Sequence, residues 1–382
     1  MVRLLYIYPE ITIKGGADKV IVEKANYFAT HGYDVTLITE AQMGRELSFP
    51  LDDRVRHIDM ELDFNSQYHQ HGLRRVLTYS SLMRTYRRKM KDVLLNLHPD
   101  IVITAMGRSV EFITGFHDGS IKIGEAHSVK ANVRNLNVLE KKGLGYRLMA
   151  GLLRRQICRK VARLDALVLL TQRDADSWTE ARKTVVIPNS VPFFPPTASS
   201  LSNKQVIMVA RYNVAKGYEY IVEAWKSVHE RHPDWVLNVY GSGELHDDVV
   251  QWIQQCHLSS SILLHEPVDD IMACYLQSSI CVMSSRYEAF PMVLLESMAC
   301  GVPCVSFDCP HGPRNIISNG EDGLLVEYLS PKALADGICR LIEDEPLRSR
   351  MGNNARTNIL RFSREKVMGQ WDELFKSLLR HN

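Results

Sequence analysis

Short apolar runs alternate with longer amphipathic segments along most of this chain. Runs rich in Val and Ile predict buried strands, whereas apolar residues spaced three and four apart predict helices. The first half shows strands at residues 4–8, 35–39, 101–104, 121–125 and 167–170, with an edge strand at 185–187. Helices are predicted at residues 17–30 and 73–97; the first ends before Gly32 and the second before Pro99.

The second half repeats this alternation. Its predicted strands are residues 206–210, 236–240, 262–265, 280–283 and 302–307, and its predicted helices are residues 218–232, from 291, and from 331 to the end. A proline-rich segment, residues 188–203, reads as a linker between the halves. The pattern therefore predicts an α/β protein with two doubly wound, Rossmann-like domains and a cleft between them. Ligands are expected at the carboxyl ends of the parallel strands.

Composition supports a two-domain globular protein. The chain has 382 residues, of which 45% are hydrophobic and 24% charged, which is ordinary for a soluble protein. No apolar run is long enough to predict a transmembrane helix, and the N-terminal MVRLLYIYPE predicts a strand rather than a signal peptide. The eight cysteines form no C-x-x-C pair and no zinc-type cluster, so we expect reduced thiols, no metal site and a cytoplasmic protein.

The charge is divided unevenly along the chain. Residues 1–190 carry 29 Lys and Arg against 21 Asp and Glu, a net of +8, whereas the remainder carries 17 against 23, a net of −6. A basic first half indicates an anionic partner. Because no nucleic-acid-binding motif accompanies the charge, an anionic membrane surface or a diphosphate-bearing acceptor is the better hypothesis.

The segment SSRYEAFPMVLLESMACGVPCV, residues 284–305, carries the strongest chemical signal. Pro291 places Glu288 in a turn and can start a helix that ends at Gly301. Glu296 then lies about a turn and a half inside that helix among apolar residues, where an unpaired charge is costly. We therefore expect a polar partner for Glu296, such as a pair of ligand hydroxyls.

Two further loops can bind anions. Arg211 and Lys216 follow the first strand of the second half, five residues apart, and could converge on one diphosphate. Gly15 and Gly16, in Lys14-Gly15-Gly16, lie between a predicted strand and the start of a predicted helix. The N-terminus of a helix favours anions. For each loop the sequence alone leaves open the alternative of solvated cations or a plain glycine turn.

The spacing Glu288-x(7)-Glu296, with Phe290-Pro291 between and Ala299-x-Gly301-x-Pro303 after it, resembles the retaining GT-B glycosyltransferases of family four. The likeness covers most of the chain. It implies an N-terminal acceptor-binding domain at residues 1–190, a nucleotide-sugar domain at 191–361, and a crossing back by residues 362–382. A run at residues 309–313 resembles members that use UDP-hexoses or UDP-N-acetylhexosamines for surface polysaccharides.

The resemblance also assigns roles to single residues. Arg211 and Lys216 match the family's pyrophosphate clamp, Glu296 its ribose-binding residue and Glu288 its contact with the transferred sugar. Further donor contacts are implied for His127, for Gly15 and Gly16, for Gly241, and for the backbone amides of Phe290, Met292 and Val293. His127, Glu288, Arg211 and Lys216 form the implied catalytic set. The resemblance further implies retention at the anomeric carbon and a nucleotide-sugar donor. Because Arg211 and Lys216 would take the place of a metal ion at the diphosphate, no metal or other cofactor is demanded.

The acceptor is predicted only as a class: a glycan or a lipid-linked glycan. Two basic amphipathic segments, residues 73–97 and 141–163, favour peripheral contact with the inner face of the membrane, against the alternative of core helices with solvated basic faces. Two other functions stay open. One is a sugar-nucleotide epimerase of the same fold, and the other is a non-catalytic subunit that binds nucleotides or glycans.

Overall fold

The computed structural model describes residues 1–12, 15–70, 72–135 and 143–380. The chain forms two compact units; the first contains the residues up to Pro188 and those from Met368 onward, and the second contains Asn189–Val367. The return to the first unit thus comes a few residues after Phe362. The backbone N–H of Val191 donates to the Phe362 carbonyl at 2.9 Å, which ties this segment to the second unit.

The first unit is built on a parallel sheet. Its strands are β1 (Arg3–Tyr8), β2 (Asp34–Thr39), β3 (Arg56–Asp59), β4 (Ile101–Ala105), β5 (Ile121–Glu125), β6 (Ala166–Leu169) and β7 (Thr184–Val186). They lie in the order β3-β2-β1-β4-β5-β6-β7. The six predicted strands are confirmed to within one residue. β3 was missed because its sequence, RHID, is polar and partly exposed, as suits a strand at the edge of a sheet.

Helices flank this sheet. They are α1 (Gly16–Thr30), α2 (Gly72–Leu97), α3 (Leu144–Val161) and the short α4 (Gln172–Ser177). In α2, Tyr86, Met90 and Leu94 are buried at four-residue spacing and pack with residues of β1 and β4. The predicted amphipathic pattern of α2 is confirmed, since one stripe of this helix faces the core.

The second unit has a parallel sheet of its own. Its strands are β8 (Gln205–Val209), β9 (Val236–Tyr240), β10 (Ile262–His265), β11 (Ile280–Met283), β12 (Cys304–Phe307) and β13 (Gly323–Val326), in the order β10-β9-β8-β11-β12-β13. Strands β11 and β12 are fully buried, as expected where helices cover both faces. β12 begins two residues later than predicted, after Pro303, and the short β13 was not predicted.

The helices of this part are α5 (Tyr218–Arg231), α6 (His246–Gln255), α7 (Ile271–Leu276), α8 (Met292–Ala299), α9 (Pro331–Glu343), α10 (Glu345–Asn358) and α11 (Arg364–Arg380). The strand order reverses between β1 and β4 in the first sheet and between β8 and β11 in the second. In doubly wound sheets the loops at such reversals form the ligand crevice. The predicted α/β class with two parallel, doubly wound sheets is confirmed.

Candidate active site

Two loops meet at the strand reversal of the second unit. The loop after β8 contains Arg211 and Lys216, and the loop after β11 contains Glu288. The Nζ atom of Lys216 donates to Oε1 of Glu288 at 2.5 Å, and Ser285 Oγ donates to the same oxygen at 2.8 Å. Both partners of this ion pair are mostly buried, with side chains 24% and 13% exposed. The structure therefore brings together a cation and a carboxylate that stand 72 residues apart.

Backbone packing holds the two loops in contact. Ser284 Oγ donates to the Lys216 carbonyl at 2.9 Å, and the Arg286 N–H donates to the Ala215 carbonyl at 2.7 Å. Gly217 has φ +62°, and a side chain on it would overlap the Ser284 carbonyl oxygen. Glycine is therefore required at this position both for its left-handed backbone and for the close approach of the loops.

Arg211 has a different environment. Its side chain is exposed, and no described residue forms an ion pair with it. The structure thus fixes Lys216 against Glu288 and leaves the guanidinium of Arg211 at the surface of the same loop. A diphosphate clamp made of both cations stays a prediction.

The glycine turn after β9 packs against the start of the Arg211 loop. The N–H of Tyr212 donates to the Ser242 carbonyl at 2.9 Å, and a side chain on Gly241 would collide with the Ala210 carbonyl oxygen. A side chain on Gly243, which has φ +151°, would likewise collide with the Tyr212 backbone. The immediate reason for Gly241 is therefore loop packing, and its role beside a nucleotide stays a prediction.

Helix α8 carries the second carboxylate. Pro291 is its N-cap, and Glu296 is its fifth residue and is only 8% exposed. The predicted polar partner is present within the protein, because the Tyr275 hydroxyl donates to Glu296 Oε2 at 3.2 Å. Burial, with the nearby carboxylate of Glu296, raises the pKa of Tyr275 well above its usual value. Tyr275 therefore keeps its proton and acts as a donor.

The N-terminal end of α8 is formed by Phe290, Met292 and Val293. Phe290 is buried and packs edge-to-face on Phe362, with ring centroids 5.4 Å apart. Pro291 makes no side-chain cap, so the first amides of the helix are not capped by that residue. The side chain of Phe290 therefore anchors this end of the helix, and the binding of a ligand by the amides of Met292 and Val293 stays a prediction.

His127 lies in the first unit, two residues beyond the end of β5. Its Nε2 atom is 3.4 Å from Oε1 of Glu125, and neither ring nitrogen has a hydrogen-bond partner among the described residues. Burial lowers the pKa of His127, and Lys24 adds to this effect while Glu125 opposes it. The imidazole is therefore neutral at physiological pH and has nitrogen atoms that a ligand could bind.

Beneath His127 lies a buried ion pair that sequence analysis missed. Lys24, on α1, donates to Oε1 of Glu125, and both side chains are only 2% exposed. The Lys24 ammonium lies 3.9 Å from the centre of a Trp371 ring. The only sequence signal was a lysine on the apolar side of α1, at a position that the helical pattern assigns to the core.

Gly15 and Gly16 stand at the start of α1. Gly15 is the N-cap with an extended backbone, and Gly16 is the first residue of the helix. The Tyr8 hydroxyl at the end of β1 donates to Asp18 in the first turn at 2.9 Å. The two glycines therefore lie at a helix N-terminus as predicted, while Lys14 lies outside the described residues.

Each of the two basic helices buries one stripe in the core and also exposes apolar side chains. α3 buries Ala150, Ile157 and Val161, yet Leu144, Leu148 and Leu152 are 74%, 68% and 67% exposed. The arginines at positions 147, 154, 155 and 159 are exposed as well. In α2, Val76 and Leu77 are more than half exposed. Lys141 and Lys142 lie outside the described residues, and none of the described helices has the length and apolarity needed to cross a bilayer.

This chain is similar in sequence to known proteins. Residues 193–358 match the model of a family described as "Glycosyl transferases group 1". A glycosyltransferase of amylovoran biosynthesis from Erwinia amylovora is 27% identical, covering 98% of this chain and 99% of that protein. An uncharacterized glycosyltransferase of Haemophilus influenzae is 25% identical, covering 97% and 99%. An exopolysaccharide phosphotransferase of Streptomyces coelicolor is 35% identical, but over 56% of this chain and only 24% of its own length.

Solved structures share the fold. A sucrose-phosphate synthase from Thermosynechococcus elongatus superposes with a TM-score of 0.81 at 18% identity, with full coverage of both chains. TarM of S. aureus, in complex with UDP, superposes with a TM-score of 0.79 at 14% identity, covering 98% of this chain and 100% of that one. HepE of Anabaena, in complex with UDP-glucose, gives 0.72 at 16% identity, covering 99% and 100%. At these identities the likeness concerns the fold alone.

Proposed function

We propose that this chain, which belongs to the group 1 glycosyltransferases, transfers a hexose or N-acetylhexosamine from a UDP-sugar to a glycan or lipid-linked acceptor in polysaccharide biosynthesis. The observation that carries the proposal is the contact of Lys216 with Glu288 at the strand reversal of the second unit. A transferase of this kind needs a cation for the leaving diphosphate beside a polar group for the sugar. Lys216 is such a cation and Glu288 such a polar group, and the two are joined by a hydrogen bond.

The proposed roles follow from the positions of these groups. Lys216 and Arg211 bind the diphosphate and stabilise the negative charge that develops on it. Glu288 accepts hydrogen bonds from hydroxyls of the transferred sugar, and Glu296 from those of the ribose. Lys216 Nζ, now paired with Glu288, would then be shared between the carboxylate and the diphosphate when the donor binds.

The remaining donor contacts belong to the same proposal. The amides of Phe290, Met292 and Val293 and the turn at Gly241 bind the donor in the second unit. On the family resemblance alone, Gly15, Gly16 and His127 are proposed as further contacts of the donor phosphate and sugar. Because the imidazole of His127 is neutral, it can donate from one ring nitrogen and accept at the other.

In the reaction, the bond between the anomeric carbon and the diphosphate oxygen breaks as the acceptor oxygen forms its bond to the same face of that carbon. The acceptor proton passes to the departing phosphate oxygen, and UDP leaves. The protein contributes orientation and electrostatic stabilisation. With two cations at the diphosphate, we expect the reaction to proceed without an added metal ion.

The first test is thermal stabilisation by a panel of UDP-, GDP- and ADP-sugars, with and without EDTA. A ligand present at about 100 times its Kd stabilises the native state by about 2.7 kcal/mol. We expect a shift with one UDP-sugar that EDTA leaves unchanged and that Glu296→Ala and Arg211→Ala abolish. Lys226→Ala, which removes an exposed cation of α5, is the matched control. The absence of a shift with every nucleotide sugar would contradict the proposal.

Product analysis separates the other two functions. A transferase releases UDP only when an acceptor is glycosylated, whereas an epimerase changes the sugar nucleotide without an acceptor. A non-catalytic subunit would bind UDP-sugar and leave it intact. We expect acceptor-dependent release of UDP, with an α-linkage if the UDP-sugar is α-linked.

Peripheral attachment to the inner face of the cell membrane is a second proposal. It is supported by the exposed Leu144, Leu148 and Leu152 of α3, which follow one another at four-residue spacing beside exposed arginines. A helix with such a face can insert its leucines among acyl chains while its arginines meet anionic headgroups. Changing Arg154, Arg155, Arg159 and Lys160 to Glu should reduce sedimentation with anionic vesicles, as should Ser at the three leucines. Sedimentation that neither set of changes reduces would contradict this proposal.

A further inference from the structure

An ion pair at the carboxyl ends of strands in the first sheet is not among the proposed donor contacts. Glu40 directly follows β2 and is 1% exposed, and Arg108 follows β4. Nη1 of Arg108 donates to Oε2 of Glu40 at 3.1 Å, and the Tyr86 hydroxyl donates to Oε1 at 3.1 Å. The carboxylate is therefore enclosed by the protein, and a ligand would meet the arginine.

The guanidinium of Arg108 is held in one orientation. Its Cζ atom lies 4.3 Å from the centre of the buried Phe64 ring, within the range of a cation–π contact. One edge is bonded to Glu40, one face is covered by Phe64, and 24% of the side chain is exposed. An arginine fixed in this way loses little side-chain entropy when a ligand binds. Its remaining N–H groups can only donate hydrogen bonds, so they suit a ligand that accepts them.

The position of Arg108 is that of a ligand-binding residue. It lies just after β4, next to the reversal between β1 and β4 where doubly wound sheets bind ligands. A side chain on the adjacent Gly107 would lie 3.0 Å from the Ala105 carbonyl oxygen and within 4 Å of Pro9 and the Glu40 carboxylate, so the backbone beside Arg108 is closely packed.

We propose that Arg108 binds a phosphate group carried by the sugar acceptor. A fixed planar fork that presents only donors matches an oxyanion with two parallel acceptor oxygens. The proposal rests on the transferase function proposed above and specifies its acceptor as a phosphate ester or a diphosphate ester. Because Glu40 offsets much of the charge of Arg108, geometry contributes more to this binding than long-range attraction.

The test is a titration of the full chain, first saturated with UDP so that the diphosphate site is filled. Two probes distinguish the sources of phosphate: glycerol 3-phosphate for phosphate-bearing glycans and geranyl diphosphate for lipid-linked acceptors. Glycerol and geraniol are their neutral counterparts. Arg108→Lys keeps a cation for Glu40 but loses the fork, and Arg108→Gln loses both. Arg87→Gln, at an exposed arginine 5.7 Å from the Phe116 ring, is the matched control.

We expect at least one phosphate probe to bind, with affinity about tenfold weaker in Arg108→Lys and weaker still in Arg108→Gln, and unchanged in Arg87→Gln. Stabilisation by UDP should be the same in all four proteins. Equal affinity in wild type and both Arg108 variants, or no binding of either probe to a protein that does bind UDP, would overturn the proposal. Failure of UDP itself to bind would instead refute the proposed donor site. In that case, titration with the two phosphate probes in the absence of UDP would still test Arg108.

Discussion

Replacing Lys24 by Met tests whether the ion pair beneath His127 is as buried as the structure shows. The change removes the ammonium that contacts Glu125 and Trp371 and leaves a carboxylate with 2% exposure without its cation. Breaking one partner of a buried pair costs about 3–5 kcal/mol, because the remaining charge stays desolvated. For a unit of this size that loss corresponds to roughly 6–20 °C in melting temperature.

The assay should report on the first unit alone, since a protein with two units need not unfold in one step. Native-state hydrogen exchange, followed by mass spectrometry on peptides from α1 and β5, measures the free energy of opening at the pair itself. Lys376→Met, which also lies in the first unit, removes a lysine from a more exposed pair with Asp372, in which the side chains are 59% and 30% exposed. That control should cost no more than about 1 kcal/mol.

A double variant identifies the cause. Lys24→Met with Glu125→Leu removes both charges, so much of the lost stability should return. A loss below about 1 kcal/mol for Lys24→Met would refute the reasoning, because it would mean that water reaches Glu125. A double variant no more stable than the single one would show that packing around Trp371, rather than the unpaired charge, accounts for the loss.

Three further predictions concern the site. Gly217→Ala should cost more stability than Gly320→Ala in the same unit, because both glycines have a left-handed backbone but only a side chain at Gly217 would also meet a backbone oxygen; equal losses in thermal melts would contradict this. Tyr275→Phe removes a donor from Glu296 and should cost about 1–3 kcal/mol in urea unfolding, and an unchanged midpoint would show that the bond contributes nothing. Burial lowers the pKa of His127, so between its folded and unfolded pKa values the unfolded chain binds more protons and stability falls with falling pH. His127→Gln should therefore lose less stability than wild type between pH 7.5 and pH 5, and equal losses would argue against a buried neutral imidazole.

Much of the architecture could be predicted because it depends on local pattern. A parallel strand covered on both faces must be apolar throughout, so runs such as residues 280–283 stand out in the sequence. The turn at Glu288 and the helix that carries Glu296 were predictable for a similar reason, since Pro291 and Gly301 restrict the backbone whatever surrounds them. β3 was not predictable, because an edge strand needs no such run.

Contacts between distant residues were not predictable. Lys216 and Glu288 were each selected as site residues, but nothing in their separate loops indicates that they touch. Tyr275 was overlooked, because the sequence pattern of a short apolar helix indicates only a core tyrosine. The hydrogen bond from its hydroxyl to Glu296 is evident only in the structure. The role of Arg211 beside them remains a prediction.

The sequence by itself determined most of the alternation of strands and helices, the two parallel sheets and the loops that hold the candidate donor site. These features follow from hydrophobic period, proline and glycine, which act over a few residues. Only the tertiary structure decided that Lys24 pairs with Glu125, that Arg108 pairs with Glu40, and that three leucines of α3 are exposed to solvent. Helical spacing shows which side chains share a face, but which face is covered depends on neighbours that the chain brings together only on folding.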